Sequence, residues 1–234
     1  MLNKEKHQLI MVRILKDIYS NVEISSFLGF KGGTMAYLFY GLSRFSVDLD
    51  FDLINNENIE KIKKLIFCEI EKILKKYGKI KEKRIKRWTI FFLLSYGNID
   101  HNIKIEISTR QHNSKYKIKK YLGIAMLVAK KETLFANKLV ALISRKNIAM
   151  RDVYDIYFFA QNNWDIDKRI ISFWTDKKLK SYLGECIKKI KKISDRTILQ
   201  GLGEVLEEKD KIWVKENLKK ETIFLLKNYQ KSLS

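Results

Sequence analysis

The 234-residue sequence has no proline, only two cysteines, and 27 acids against 47 lysines and arginines. With no proline and only ten glycines, no proline- or glycine-rich stretch is left to serve as a linker. Cys68 and Cys186 stand far apart with no ligand cluster near either. That excludes a disulfide framework or a zinc spacing and suits a reducing, cytoplasmic setting. Long apolar runs are also missing. A stretch such as "IAMLVA" falls far short of the roughly 20 residues that span a bilayer, so no membrane is expected. The opening "MLNKEKHQLIMVRIL" mixes charges into its apolar positions, which argues against a signal peptide. The shortage of acids leaves a net charge of +20, a field that attracts polyanions such as nucleic acids and nucleotides. Abundant Lys, Ile and Asn are also what an AT-rich coding bias leaves on solvated helix faces. The charge therefore supports an RNA or nucleotide partner without establishing one. An apolar fraction of 46% with 12% aromatics is enough for a packed core.

Hydrophobic spacing divides the chain. Residues 4–20 have helical periodicity, "FLGFKGGT" suits a loop, "TMAYLFYGL" reads as a short helix and "FSVDLDFDLI" alternates as a strand. Helical spacing returns over 57–77. "WTIFFLLSY" reads as a buried strand, and "HNIKIEIST" alternates again. Strand signals fade after about residue 122, and 131–146, 149–161, 167–195 and 203–232 look helical. The expectation is an α+β chain, with a strand-rich core over 1–122 and a helical C-terminal domain over 123–234.

The alternating strand carries the chemistry. Phe45, Val47, Leu49, Phe51 and Leu53 share one face, and Ser46, Asp48, Asp50 and Asp52 the other. Acids this close repel unless a cation offsets them, and hard carboxylate oxygens suit Mg²⁺. An exposed strand using acids to discourage edge pairing is the competing account. Upstream, "KGGT" precedes a helix start, where free N–H groups favour phosphate. Downstream, Glu106 lies on a second alternating strand and offers a third carboxylate. Its alternative is a surface acid paired with Lys104. Three carboxylates can hold two metals, one at the attacking oxygen and one at a triphosphate. Lys138 lies on a mostly apolar helical stripe, as an anion-binding or a snorkelling lysine. Arg151 and Asp155 are four apart, the spacing of a local ion pair. His7, His101 and His112 show no metal or triad spacing. Arg84, Lys86, Arg87 and Trp88 form a basic–aromatic mixture that suits single-stranded nucleic acid, or simply a solvated strand entry.

These residues in this order resemble the nucleotidyltransferase superfamily of the DNA polymerase β type: Gly32-Gly33, a short helix, Asp48-Leu49-Asp50 on a strand, then a lone acid, here Glu106 where Asp is usual. The longer strings "KGGTMAYLFYGLSRFSVDLDF" and "ANKLVALISRKNIAMRDVYDIYFFA" resemble the AbiEii/AbiGii-type toxins. The resemblance implies a nucleotidyltransferase that moves a nucleoside monophosphate from an NTP to an acceptor hydroxyl. It implies Mg²⁺, with Mn²⁺ as a substitute, held by Asp48, Asp50 and Glu106. Gly32, Gly33 and Thr34 would contact phosphates, supported by Arg44 and Ser46, and Lys138 would bind nucleotide or phosphate. Asp152 and Asp155 would line the active site, and Asp52 would sit behind the metal-binding pair. The role implied is a toxin of a bacterial toxin–antitoxin or phage-defence pair, with the tRNA 3′ end as acceptor and a cognate antitoxin as partner. A protein or small-molecule acceptor, or a basic RNA-binding module without activity, are the alternatives.

Overall fold

The computed structural model describes residues 3–54, 58–97 and 102–233; His101 lies outside them. The chain divides into two compact units. The first comprises Met1–Gly41, Phe45–Gln111 and Tyr116–Ala129; the second comprises Leu42–Arg44, His112–Lys115 and Lys130–Ser234.

The first unit is built on seven strands: β1 (Leu28–Lys31), β2 (Leu49–Leu53), β3 (Lys79–Lys86), β4 (Thr89–Ser95), β5 (Asn102–Ser108), β6 (Tyr116–Tyr121) and β7 (Ile124–Ala129). They form one mixed sheet in the order β3-β4-β5-β2-β1-β7-β6. β2 runs parallel to β5, and β1 parallel to β7; the other pairs are antiparallel. Alternation sorts the two faces. Leu49, Phe51, Ile90, Phe92, Leu94, Ile103, Ile105 and Ile107 are all buried and form the covered face. Two helices cover it, α1 (Lys4–Ser20) and α3 (Ile59–Lys75). Phe67 of α3 stacks on Phe92 with ring centroids 4.9 Å apart, and Tyr19 of α1 lies 6.5 Å from Phe51. Side chains of this kind contribute roughly 1.5–3 kcal/mol each when fully buried. A third helix, α2 (Gly32–Tyr40), starts directly after β1 and ends at Gly41 in the left-handed conformation (φ 72°).

Sequence periodicity misses four strands. β1 lies within the glycine-bearing stretch read as a loop; it is four residues long and paired on both sides. β3 and β6 are the sheet's two edges, rich in lysine on both faces, so no apolar alternation marks them. β7 also extends the sheet past residue 122, where strand signals fade in the sequence.

The second unit is helical: α4 (Lys131–Ser144), α5 (Met150–Gln161), α6 (Lys168–Thr175), α7 (Leu179–Lys191) and α8 (Glu208–Lys231). The stretch 167–195 is two helices rather than one, broken at Asp176, which adopts φ 52°. α5 packs against α4 and α8 and is buried nearly all round, including Asp152 and Asp155. Phe159 stacks on Trp164 at 4.2 Å, and the Tyr182 hydroxyl donates to the Leu139 carbonyl at 3.3 Å.

Candidate active site

The parallel register of β2 and β5 sets Asp50 opposite Glu106. Paired residues share a face, so both carboxylates lie on the face opposite the helix-covered one. Asp48 lies one residue before β2. The segment is fixed without ladder bonds: the Thr34 hydroxyl donates to the Asp48 carbonyl, and His7 Nε2 donates to the Val47 carbonyl at 3.0 Å. The Lys104 ammonium lies among the three acids, 3.6 Å from Asp48, 4.0 Å from Asp50 and 3.5 Å from Glu106. One cation thus serves three carboxylates. Burial pushes the Asp50 carboxyl above its ordinary range; Lys104 opposes that shift, and repulsion from Asp48 adds to it. Burial would lower Lys104, but Asp50, Asp48 and Glu106 outweigh it and hold the ammonium above its usual range.

Gly32 is dictated twice over. Its φ of +80° is costly for an L side chain, and a Cβ there would stand 2.5 Å from Asp50 Oδ2. The backbone at the start of α2 therefore lies directly against Asp50, and a helix N-terminus favours anions. Gly33 and Thr34 are buried. The Thr34 hydroxyl is directed at Asp48, so its side chain braces the acid rather than facing outward. Asp52 is only 3% exposed and is engaged by Lys31 at 2.5 Å and by the Tyr116 hydroxyl. Ser46 is 6% exposed.

The remaining expected site residues come together in the second unit. Arg44 donates to both oxygens of Asp155, at 2.6 and 2.8 Å. Lys138 lies 2.6 Å from Asp152 and 2.8 Å from Asp155. Arg145 reaches Asp152 at 2.5 Å. Arg44, expected to support the phosphates, is 2% exposed and engages both carboxylate oxygens of Asp155. Asp155 likewise pairs with Arg44 and Lys138 rather than with Arg151. Burial would raise the Asp155 carboxyl, but Arg44 and then Lys138 outweigh it and hold it below the usual range. Burial would lower Lys138, and Asp155 with Asp152 reverses that.

A family model for the nucleotidyl transferase AbiEii toxin of type IV toxin–antitoxin systems matches residues 13–221. The chain belongs to the AbiEii family. Among solved structures, JHP933 from Helicobacter pylori is 22% identical, with a TM-score of 0.59 over 100% of this chain and 97% of that one. MenT4, a nucleotidyltransferase toxin from Mycobacterium tuberculosis, is 17% identical, with a TM-score of 0.62 over 95% and 83%. An antigenic nucleotidyltransferase-like protein from Paracoccidioides brasiliensis is 12% identical, with a TM-score of 0.52 over 85% and 93%. At these identities the neighbours speak for the fold. No curated protein matches the chain. Family membership makes this AbiEii chain a nucleotidyltransferase toxin that uses a nucleoside triphosphate and has an antitoxin counterpart. No helix among the described residues is long and apolar enough to cross a membrane.

The AbiEii carboxylates can be tested against a divalent cation. Among the described residues, no three metal-ligating side chains are drawn together closely enough to hold an ion. The donor chemistry fits nonetheless. All three groups are hard carboxylate oxygens, and a positive charge already lies within 4.0 Å of each. The sequence pattern presents Lys104 only as a partner of Glu106, places Arg145 on the stripe of Lys138 without a role, and does not single out Tyr116. The signal for Lys104 was its place on the acid-bearing face of "IKIEI", two residues from Glu106.

Proposed function

We propose that this chain transfers a nucleoside monophosphate from an NTP to a 3′ hydroxyl of RNA, with tRNA as the acceptor and Mg²⁺ as the cation. The observation that carries this reading is the convergence of Asp48, Asp50 and Glu106 on one ammonium, beside the Gly32 backbone at a helix N-terminus. Asp48, Asp50 and Glu106 would hold the metal, in place of Lys104. When bound, it supplies charge neutralisation to the triphosphate and acidifies the acceptor hydroxyl. The chain's own part is positioning and electrostatics. Free N–H groups at the start of α2, from Gly32, Gly33 and Thr34, point to phosphate oxygens. Thr34 and His7 hold the backbone before β2, so Asp48 stays aligned with Asp50. Lys104, released from the acids, offers its charge to the pyrophosphate. The acceptor oxygen forms the new bond to the α-phosphorus, the α–β bridge breaks, and pyrophosphate leaves as the hydroxyl proton is lost.

Lys138 and Asp152 keep a role in nucleotide handling. In their network Arg44, Lys138 and Arg145 face Asp152 and Asp155. The test is label transfer. Purified protein with Mg²⁺ is mixed with each α-³²P-labelled NTP, bulk RNA and cell extract. Label in tRNA that vanishes in Asp48→Ala/Asp50→Ala is the expected result. Label in protein would move the acceptor to a protein hydroxyl, and no acid-dependent label would overturn the reading.

A further inference from the structure

The sheet register carries the carboxylate face outward in a single row. Asp50 pairs with Glu106, Glu106 with Phe91 of β4, and Phe91 with Arg84 of β3. Laterally paired residues lie on one face, with strands about 4.8 Å apart. The row Asp50–Glu106–Phe91–Arg84 therefore runs about 14 Å from the acids to the edge of the sheet. Among the described residues this part of the face is partly open: Phe91 and Leu93 of β4 are half-buried and Arg84 is exposed. The Arg84 guanidinium lies 5.4 Å from the Phe91 ring centroid. At the β3–β4 turn, Arg87 lies 4.9 Å from the ring of Trp88, which is 44% exposed. The turn is pinned, since Thr109 N–H donates to the Trp88 carbonyl at 3.0 Å.

We propose that this row is the acceptor platform, on which a single-stranded RNA end stacks a base against Phe91 and Arg84 and so leads its terminal hydroxyl toward Asp50 and Glu106. The inference rests on the reading of these acids as the transfer centre. Unpaired RNA bases are recognised by stacking on aromatic rings and guanidinium planes, and Phe91 with Arg84 supplies both. Charge selects a polyanion: by register β3 sets Lys79, Arg84 and Lys86 on this face against one acid, Glu82. Lysines on an edge strand also discourage edge pairing, but that accounts for neither the open aromatic nor its place in the carboxylate row. Glu82 pairs with Arg84 in the structure, and an exposed pair of this kind is weak enough to yield to phosphate.

The test uses full-length protein and a 5′-fluorescein-labelled single-stranded RNA of about 12 nucleotides, followed by anisotropy in EDTA so that binding is separated from transfer. Phe91→Ala is expected to weaken RNA binding about 10- to 100-fold, the range for loss of one stacked base. Phe91→Tyr should keep wild-type affinity. Arg84→Ala should lower the salt dependence by about one phosphate contact. Binding of a fluorescent ATP analogue should not change in these variants. The platform is overturned if Phe91→Ala and Arg84→Ala combined leave RNA affinity within about twofold, against the scale above. It is also overturned if polyglutamate displaces the RNA as well as unlabelled RNA does, since the surface would then read charge alone. Phe91-dependent RNA binding without acid-dependent label transfer would support the platform and sink the transfer reading. Label entering RNA with an unchanged KM in Phe91→Ala would do the reverse.

Discussion

In the first unit the Lys104 ammonium lies within 4.0 Å of three carboxylates, Asp48, Asp50 and Glu106, and Lys31 also acts on Asp50. In the second, Asp152 and Asp155 are held by Arg44, Lys138 and Arg145. The outcomes for the acids are opposite: Asp50 is pushed above the ordinary carboxylate range and Asp155 is held below it. Burial opposes ionisation at both; Arg44 and Lys138, which also hydrogen-bond Asp155, outweigh it there, whereas Lys104 and Lys31 do not at Asp50. On the proposed function, the cluster shorter of positive charge is the one that would receive a cation. A cluster whose acids are each held by two cations has met the cost of burying them. The contrast separates two kinds of charged residue that look alike in a motif.

The largest way to break the comparison is Asp155→Asn. It leaves Arg44, 2% exposed, and Lys138 without their shared acid, and an uncompensated buried charge costs about 3–5 kcal/mol. A melting-temperature loss of roughly 10 °C is expected. Because Asp155 is held below the ordinary range, its contribution is complete above that range and is lost as pH falls through the lowered value. The gap to wild type should therefore stay flat from neutral into mild acid and close only in strong acid. Urea unfolding at several pH values checks this; a gap that closes near neutrality would refute the network.

Next in size is Gly32→Ala. The left-handed φ alone costs about 1–2 kcal/mol, and here the new methyl also meets Asp50 Oδ2 at 2.5 Å. Gly41 provides the control, with φ +72° and nothing within 4 Å of the place a methyl would take. Gly41→Ala should show the conformational cost only. Gly32→Ala should lose more stability than that, and label transfer in addition. Equal stability losses in the two variants would mean that Asp50 moves aside freely.

Lys104→Met tests the shortage of cation directly. Without the ammonium, repulsion among the three acids goes unopposed, and a divalent ion no longer competes with an internal charge. Mn²⁺ affinity, read by electron paramagnetic resonance on the NTP-free protein, should tighten about tenfold, or 1.4 kcal/mol. Mn²⁺ should also raise the melting temperature more than in wild type. Unchanged or weaker Mn²⁺ binding would remove Lys104 from the cation's place.

Much of the first unit was legible because its chemistry repeats at the period of a strand. Alternating Leu49 to Leu53 and Ile103 to Ile107 marked the covered face, and Asp50 and Glu106 between them marked the other, although β2 starts only at Leu49. What stayed hidden is set by partners distant in sequence. β3 and β6 have no apolar alternation because they are edges, and β1 hid in a glycine-bearing stretch. Arg44 sits two residues from Ser46 and four from Asp48, and the family resemblance implies a place beside the phosphates. Its carboxylate partner, Asp155, is 111 residues away. Nor can strand spacing show that Asp52, one pleat past Asp50, is taken up by Lys31 and Tyr116.

The smallest effect is the most discriminating, because it has the opposite sign to Asp155→Asn. Asp50 is held above the ordinary range mainly by burial, with Asp48 adding repulsion and Lys104 opposing. A carboxyl raised in this way stabilises the fold only while protonated; that contribution is lost as pH rises through the raised value. At neutral pH in EDTA, Asp50→Asn removes a charge that the fold disfavours, so stability should rise by under about 1 kcal/mol, or about 1–3 °C. The gain should shrink as the buffer is acidified and wild-type Asp50 takes up its proton. With divalent ion added, the order should reverse, because wild type gains a bound cation that the variant holds poorly. Transfer should fall by about 10³-fold, the scale of several kcal/mol of lost charge stabilisation. A variant that is less stable than wild type in EDTA would show that Asp50, like Asp155, is already satisfied by its neighbours and does not await a cation.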